Sequence, residues 1–200
     1  MEVSAMPYVI RPPVRRMSLL GSLIAAAICT LLVVVPSRAA AATCDPVPVS
    51  NPFARFLDFA DYALVPGGDF EPGAPGWSFQ DAQVSNGVAS IDPRGEAVSP
   101  AFCISADHPT FRFMTRGSAG GSNALRVFLR WNEGNVVREA FVYELDGSYS
   151  SWLPSPILPL ALRLNLIQSD LSREVQLVFR VKPLSSSWAI DDVYYDPYRR

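Results

Sequence analysis

From residue 62 onward the chain alternates apolar and polar residues in short runs, and a cluster of turn formers ends each run. "TFRFMTRG" sets Phe111 and Phe113 on one face against Arg112 and Met114. "LRVFLRWN" sets Leu125, Val127, Leu129 and Trp131 against Arg126, Phe128 and Arg130. "EVQLVFRVKPL" sets Val175, Leu177, Phe179 and Val181 against Gln176, Val178, Arg180 and Lys182. A period of two is that of a strand with one face buried. "VREAFVYEL" and "WAIDDVYY" add two aromatic, β-branched candidates. "SNG", "DPRG", "ADHP", "RGSAGGS", "NEGN", "DGS" and "LSSS" read as the intervening turns. Many short strands at regular spacing predict an all-β sandwich of jelly-roll type. "SPILPLALRLNLIQSDLS" fits two readings, because Leu160, Leu162, Leu164 and Leu166 alternate like a strand while Leu with Ala and Arg also suits helical turns. We expect an extended lead-in followed by a short helical crossover there.

The first residues carry a different signal. Arg11, Arg15 and Arg16 precede the apolar run "MSLLGSLIAAAICTLLVVV", and "SRAAAAT" follows it. A basic n-region, an apolar core and an A-x-A site ending at Ala42 predict a cleaved secretory signal over residues 1–42. The alternative is an uncleaved anchor, since about 18 apolar residues span a bilayer. Cleavage gives a secreted chain with no membrane span. It removes four arginines and one glutamate, leaving 13 basic and 18 acidic residues and a net charge of −5. Phosphate backbones need a basic face, so nucleic acid is excluded as a partner. Residues 43–63 read as a Pro-rich leader with little regular structure before Asn51, a helical turn in "NPFARFLDFADY", and "YALV" as the first edge strand. Residues 64–200 form the predicted sandwich domain. Cys44 and Cys103 remain after cleavage, and an even pair in an exported chain predicts a disulfide that ties the leader to the core.

Little in the sequence points to catalysis. His108 in "SADHPT" reads as a turn residue. No G-x-S-x-G elbow, Cys–His pair or H-E-x-x-H motif accompanies it. Asp191 and Asp192 are adjacent, so in a strand they leave opposite faces and do not flank one glycosidic bond. No catalytic residue is assigned, which leaves a glycoside hydrolase as the weakest reading. Asp69 and Glu71 straddle Phe70, and the phase of "WAIDDVYY" breaks at Asp191 and Asp192, predicting a bulge. These four carboxylates form the candidate metal corner, where oxygens converging from the first and last strands suit Ca²⁺. Turn capping and pairing with arginines are the alternatives.

"GGDFEPGAPGW" near the start and "SWAIDDVYYDP" near the end carry a resemblance. They look like the bookends of carbohydrate-binding-module-like jelly rolls of the galactose-binding-domain-like fold, which include accessory modules of cellulases and xylanases. The "ADYALVPGGDFE" leader and "DDVYYDPYRR" tail also resemble small exported actinobacterial proteins. The resemblance implies an opening Gly-x-Phe-Glu strand against a closing Asp-Asp-Val strand, often beside a structural calcium, with Trp77 plugging one end of the sandwich. It implies a non-catalytic module for glycan or cell-envelope polysaccharide. The alternative is an extracellular structural domain whose partner is another surface protein. Candidate ligand-binding residues are Trp152, Tyr143, Arg126 and Arg130, with Gln176 as a further polar group. Trp131 shares its face with Leu125, Val127 and Leu129 and is expected in the core.

Overall fold

A computed structural model describes residues 44–71, 73–117, 123–146, 149–165 and 172–196. The expected signal segment and its cleavage site lie outside them. Among the described residues are twelve strands and two short 3-10 turns, and every strand pairing is antiparallel. The strands are β1 (Val49–Ser50), β2 (Tyr62–Leu64), β3 (Ser78–Ser85), β4 (Val88–Val98), β5 (Phe102–Ile104) and β6 (Thr110–Gly117). They continue with β7 (Ala124–Glu133), β8 (Val136–Asp146), β9 (Leu153–Pro154), β10 (Leu158–Pro159), β11 (Arg173–Val181) and β12 (Trp188–Tyr195).

β12 lies between β6 on one side and β2 with the first half of β4 on the other, and β9 and β10 cap the far edge of β6. β11 lies between β7 on one side and β5 with the second half of β4 on the other, and β8 closes that edge. From β5 onward the chain changes sheet after each strand or hairpin, which is the jelly-roll path. The period-two faces meet between the sheets. Phe111, Phe113, Leu125, Val127, Leu129, Leu177, Phe179 and Ile190 are fully buried there. Phe113 of β6 meets Phe179 of β11 edge-to-face at 5.0 Å, joining the two sheets. Each such aromatic contributes about 1.5–3 kcal/mol by leaving water.

Several expectations change at this level. "DPRG" is no turn, because β4 runs straight through it. Ala82 pairs with Ile91 and Gln80 with Glu96, so one residue of β3 faces four of β4 across a bulge. Asp81 and Arg94 take positive φ there, and a Cβ on Gly95 would stand 2.3 Å from the Asp81 carbonyl oxygen. Only glycine fits that approach. The opening strand expected through Asp69 and Glu71 is a series of turns, with Gly68 N–H donating to Val65 O at 2.7 Å and Phe70 N–H to Gly67 O at 3.1 Å. Glycines, with no Cβ to clash, make consecutive turns cheaper than a strand. β2 is not the outermost strand, since the two-residue β1 pairs outside it. The ambiguous stretch divides into β10, a 3-10 turn at Ala161–Leu164, and residues 166–171, which lie outside the described residues.

The leader covers the outer face of β6. Phe53 and Tyr62 are buried against Met114, with Phe56, Trp152 and Tyr194 packed around them. Met114 on the outer face is therefore buried like Phe111 and Phe113 on the inner one, between Arg112 and Arg116, although a period-two reading assigns β6 one buried face. Cys44 and Cys103 are joined, with Cα atoms 5.5 Å apart. No helix among the described residues is long and apolar enough to cross a membrane.

Candidate functional site

The outer face of the β4–β11–β7–β8 sheet carries a ladder of charges. Glu139 accepts from Arg130 at 3.1 Å and from Arg180 at 2.5 and 2.9 Å. Glu96 bonds the same two arginines. Farther along, Glu144 accepts from Arg126 at 2.8 Å and Lys182 at 2.6 Å. Burial pushes the Glu139 carboxyl up, and Arg180 and Arg130 overcome it, leaving the group below the usual range. Arg180 also lies over Phe128, 4.8 Å from the ring centre. Arg126 and Arg130, singled out from sequence as polar arms for a ligand, thus have their guanidinium groups engaged by carboxylates of neighbouring strands.

At one end this sheet forks. The β11–β7 ladder stops at Gln176 opposite Arg130. Before that point β11 pairs with β5, through Arg173, Glu174 and Val175. β7 instead continues alone with β8, to Glu133 opposite Val136. The strands part, and a cleft of about 620 Å³ opens between them. Trp131, Arg173, Asn132, Gln176, Arg130 and Glu139 line it. Gln176 is fixed by donating through Nε2 to Ser99 O at 2.9 Å, which leaves its Oε1 as an acceptor. Trp131 is half-buried at the rim of the core, with its Nε1 buried and without a hydrogen-bond partner among the described residues. The Arg173 guanidinium covers its ring at 5.7 Å. The cleft joins a flat aromatic, fixed amide and carboxylate acceptors, and cationic donors.

The structure does not bring the four residues proposed from sequence for ligand binding into one place. Trp152 packs against Phe53, Tyr62 and Met114 with Arg116 over its ring at 5.3 Å, on the sheet opposite the charge ladder. Tyr143 stands in register with Val127, whose side chain is in the core, and therefore leaves the face of β8 opposite Glu144. Only Arg130 lines the cleft; Arg126 is farther along the sheet. Arg173 and Asn132 went unnoticed in the sequence. The one available signal was a cation at residue 173, on the phase of Val175 and Leu177.

The four carboxylates named from sequence do meet electrostatically at one corner. β12 is bulged between Asp191 and Tyr194, and Asp192 has φ of 50°. Val193 N–H donates to Gly68 O at 2.9 Å, fixing the turn that carries Asp69 and Glu71 against the bulge. Burial, then Asp192, then Asp69 and Glu71 push the Asp191 carboxyl up to about 7, against the lowering effect of the Asp192 N–H. Among the described residues no three Asp, Glu, His or Cys groups converge as a metal would require. The carboxylates are repelling neighbours, without a ligand shell around one point.

A consequence can be measured. The folded state holds a proton on Asp191 up to about pH 7, whereas the unfolded chain releases it near 3.8. Between those values the folded state binds more protons, so this group's contribution to stability falls as pH rises. Asp191→Asn is expected to remove that slope and to stabilise the fold at pH 8 by about 1–2 kcal/mol, solvent screening the remainder. Urea midpoints at pH 5 and pH 8 read it, and a variant less stable at both values would refute it. With added calcium, a higher midpoint at pH 8 that Asp191→Asn abolishes would place the expected cation at this corner.

His108 is 7% exposed and closes a turn, its Nδ1 accepting from Ser105 N–H at 2.9 Å. That nitrogen is occupied, which removes it as a base toward the Ser105 hydroxyl 3.2 Å away.

The chain matches no protein-family profile and no curated protein. Among solved structures it is similar to the CBM22-1 and GH10 modules of a Clostridium thermocellum endo-1,4-β-D-xylanase complexed with xylohexaose, at 10% identity and TM-score 0.48, over 69% of this chain and 28% of that one. It is also similar to a family 15 xylan-binding module, at 14% identity and TM-score 0.46, over 64% of this chain and 94% of that one. A third is the family 11 carbohydrate-binding module of a C. thermocellum cellulosomal cellulase, at 13% identity and TM-score 0.45, over 69% of this chain and 95% of that one. This chain spans 28% of the xylanase chain.

Proposed function

We propose that the protein is an exported, non-catalytic glycan-binding module that holds a saccharide in the cleft where β11 parts from β7. The observation that carries this reading is the cleft itself, with Trp131 at its rim, Gln176 fixed by Ser99 with its Oε1 as an acceptor, Asn132 beside them, and the Arg130–Glu139 pair in its wall. Sugars offer many hydroxyls over an apolar ring face, and a site with few anchored polar groups beside an aromatic matches that chemistry. The turn-bound His108 and the bulge-separated carboxylates support the absence of catalysis. The disulfide suits an oxidising compartment such as the envelope or the medium.

A glycan array with the purified, oxidised protein tests the proposal. We expect binding to an oligosaccharide class, weakened at least about tenfold by Trp131→Ala, since an aromatic anchor contributes about 1–3 kcal/mol. A folded protein that gives a blank array would defeat it.

A second reading is favoured by Leu57 and Phe59, which are 83% and 72% exposed in the leader loop. Leu57 takes φ of 65°, unusual for a leucine. Two large apolar side chains held in water by a strained loop suit docking of another surface protein. Capture of a partner abolished by Leu57→Ser with Phe59→Ser, and unaffected by Trp131→Ala, would decide for that reading.

A further inference from the structure

We propose that the cleft at the fork selects acidic sugars, with Arg173 as the group that reads a uronate carboxylate. This rests on the glycan reading above and narrows its ligand class.

The cleft is lined by two cations, Arg130 and Arg173. Arg130 is bonded to both Glu96 and Glu139. Arg173 has no carboxylate within ion-pairing distance among the described residues, and its guanidinium lies 5.7 Å from the centre of the Trp131 ring. The other acid facing the ladder there, Glu139, is held by two arginines. A guanidinium held beside an indole ring without a carboxylate partner keeps N–H donors for a ligand, and a carboxylate is received by two parallel bonds. The pair gives the cleft a guanidinium beside an aromatic ring.

Position favours this role as well. Arg173 is the first residue of β11 and shares its side of the strand with Val175, which is in the core. Glu174, the next residue, leaves the other side and also lines the cleft. The two define a direction for an acidic ligand, drawn toward Arg173 and repelled on the Glu174 side. Gln176 Oε1 and Asn132 face hydroxyls rather than a second charge. The net charge of −5 after cleavage opposes acidic polymers at long range, so selection here is a contact effect at one cationic position.

The test uses oligouronides of several linkages, each beside its carboxyl-reduced neutral counterpart, with the intact oxidised protein. The expected result is binding to an acidic member at least about tenfold tighter than to its neutral twin, as a charge-assisted bidentate bond requires. Sodium chloride should weaken it. Arg173→Gln should bring the acid down to the level of the neutral twin, and Glu174→Gln should strengthen acid binding about two- to threefold. Folding of both variants is read by an unchanged urea midpoint. Equal or tighter binding of the neutral twin, or an acid preference that survives Arg173→Gln, overturns the inference and leaves the glycan reading standing. Absence of binding to either class, with Trp131→Ala also without effect on the glycan array, overturns both.

Discussion

Replacing Arg112 with alanine is expected to cost about 3–5 kcal/mol, the usual consequence of breaking a mostly buried ion pair on one side. Its Nη1 lies 2.6 Å from Asp58 Oδ2, with the two side chains 15% and 14% exposed. Its Nε donates to Ser155 O at 2.7 Å, and its guanidinium covers the Phe53 ring at 5.3 Å. One residue of β6 thereby joins the leader, through Asp58, to the segment between β9 and β10. Burial pushes the Asp58 carboxyl up, and bonds from Tyr62, Ala60 and Arg112 overcome it and hold it below its usual value. Without Arg112 that carboxylate is stranded beside the Tyr62 hydroxyl, which donates to it at 2.8 Å. Urea denaturation of Arg112→Ala beside Arg112→Ala with Asp58→Asn checks the mechanism. The double variant should recover part of the loss, and a single-variant loss below about 1 kcal/mol would show that the pair is screened like a surface one.

Removing the disulfide should be as costly. Cys44 and Cys103 are 59 residues apart in sequence, and opening a loop of that size releases about 4 kcal/mol of denatured-state entropy in the chain-entropy model. The Cys44→Ser, Cys103→Ser variant is therefore expected to unfold at a much lower urea concentration, as is the wild type under reductant. The transition should stay single, because the leader's other anchors are in the folded body. Asn51 Nδ2 donates to Ala60 O at 3.0 Å, and Phe53 is fully buried. Two transitions, with the leader released first, would show that the staple alone holds it.

The strands were the most legible part of the chain. "LRVFLRWN" and "EVQLVFRVKPL" announce β7 and β11 because each has one face in the core and one bearing charge. β6 is less legible, since Met114 alternates out of phase with Phe111 and Phe113 yet is buried too. Its second cover is the leader, a tertiary fact with no local signature. "DPRG" misled for a related reason: proline and glycine signal a turn or a bulge equally well, and only the partner strand β3 decides between them. The acid corner was legible because residues 69–71 and 191–192 bear their carboxylates openly. The cleft was not. It exists where β11 exchanges one neighbour for another, and its walls come from β7, β8 and β11, which the chain reaches far apart, Trp131 and Arg173 being 42 residues from each other. Trp152 and Tyr143 were candidates by residue type, and neither type nor spacing states which sheet a side chain leaves.

The alternation of the chain between the two sheets also governs how it reaches its final state. Apart from the β3–β4 and β7–β8 hairpins and the β1–β2 pair, strand neighbours are remote in sequence. Arg180, for instance, lies opposite Glu96, and Tyr195 opposite Ala63. Contact order is correspondingly high, so most of the loop-closure entropy must be lost before the long-range pairs that offset it can form. Refolding of the oxidised domain should therefore be slow, on the order of milliseconds to seconds. The two hairpins are the pieces able to form early, and neither contains the full cleft, which would be completed only when β11 docks between its two sets of neighbours.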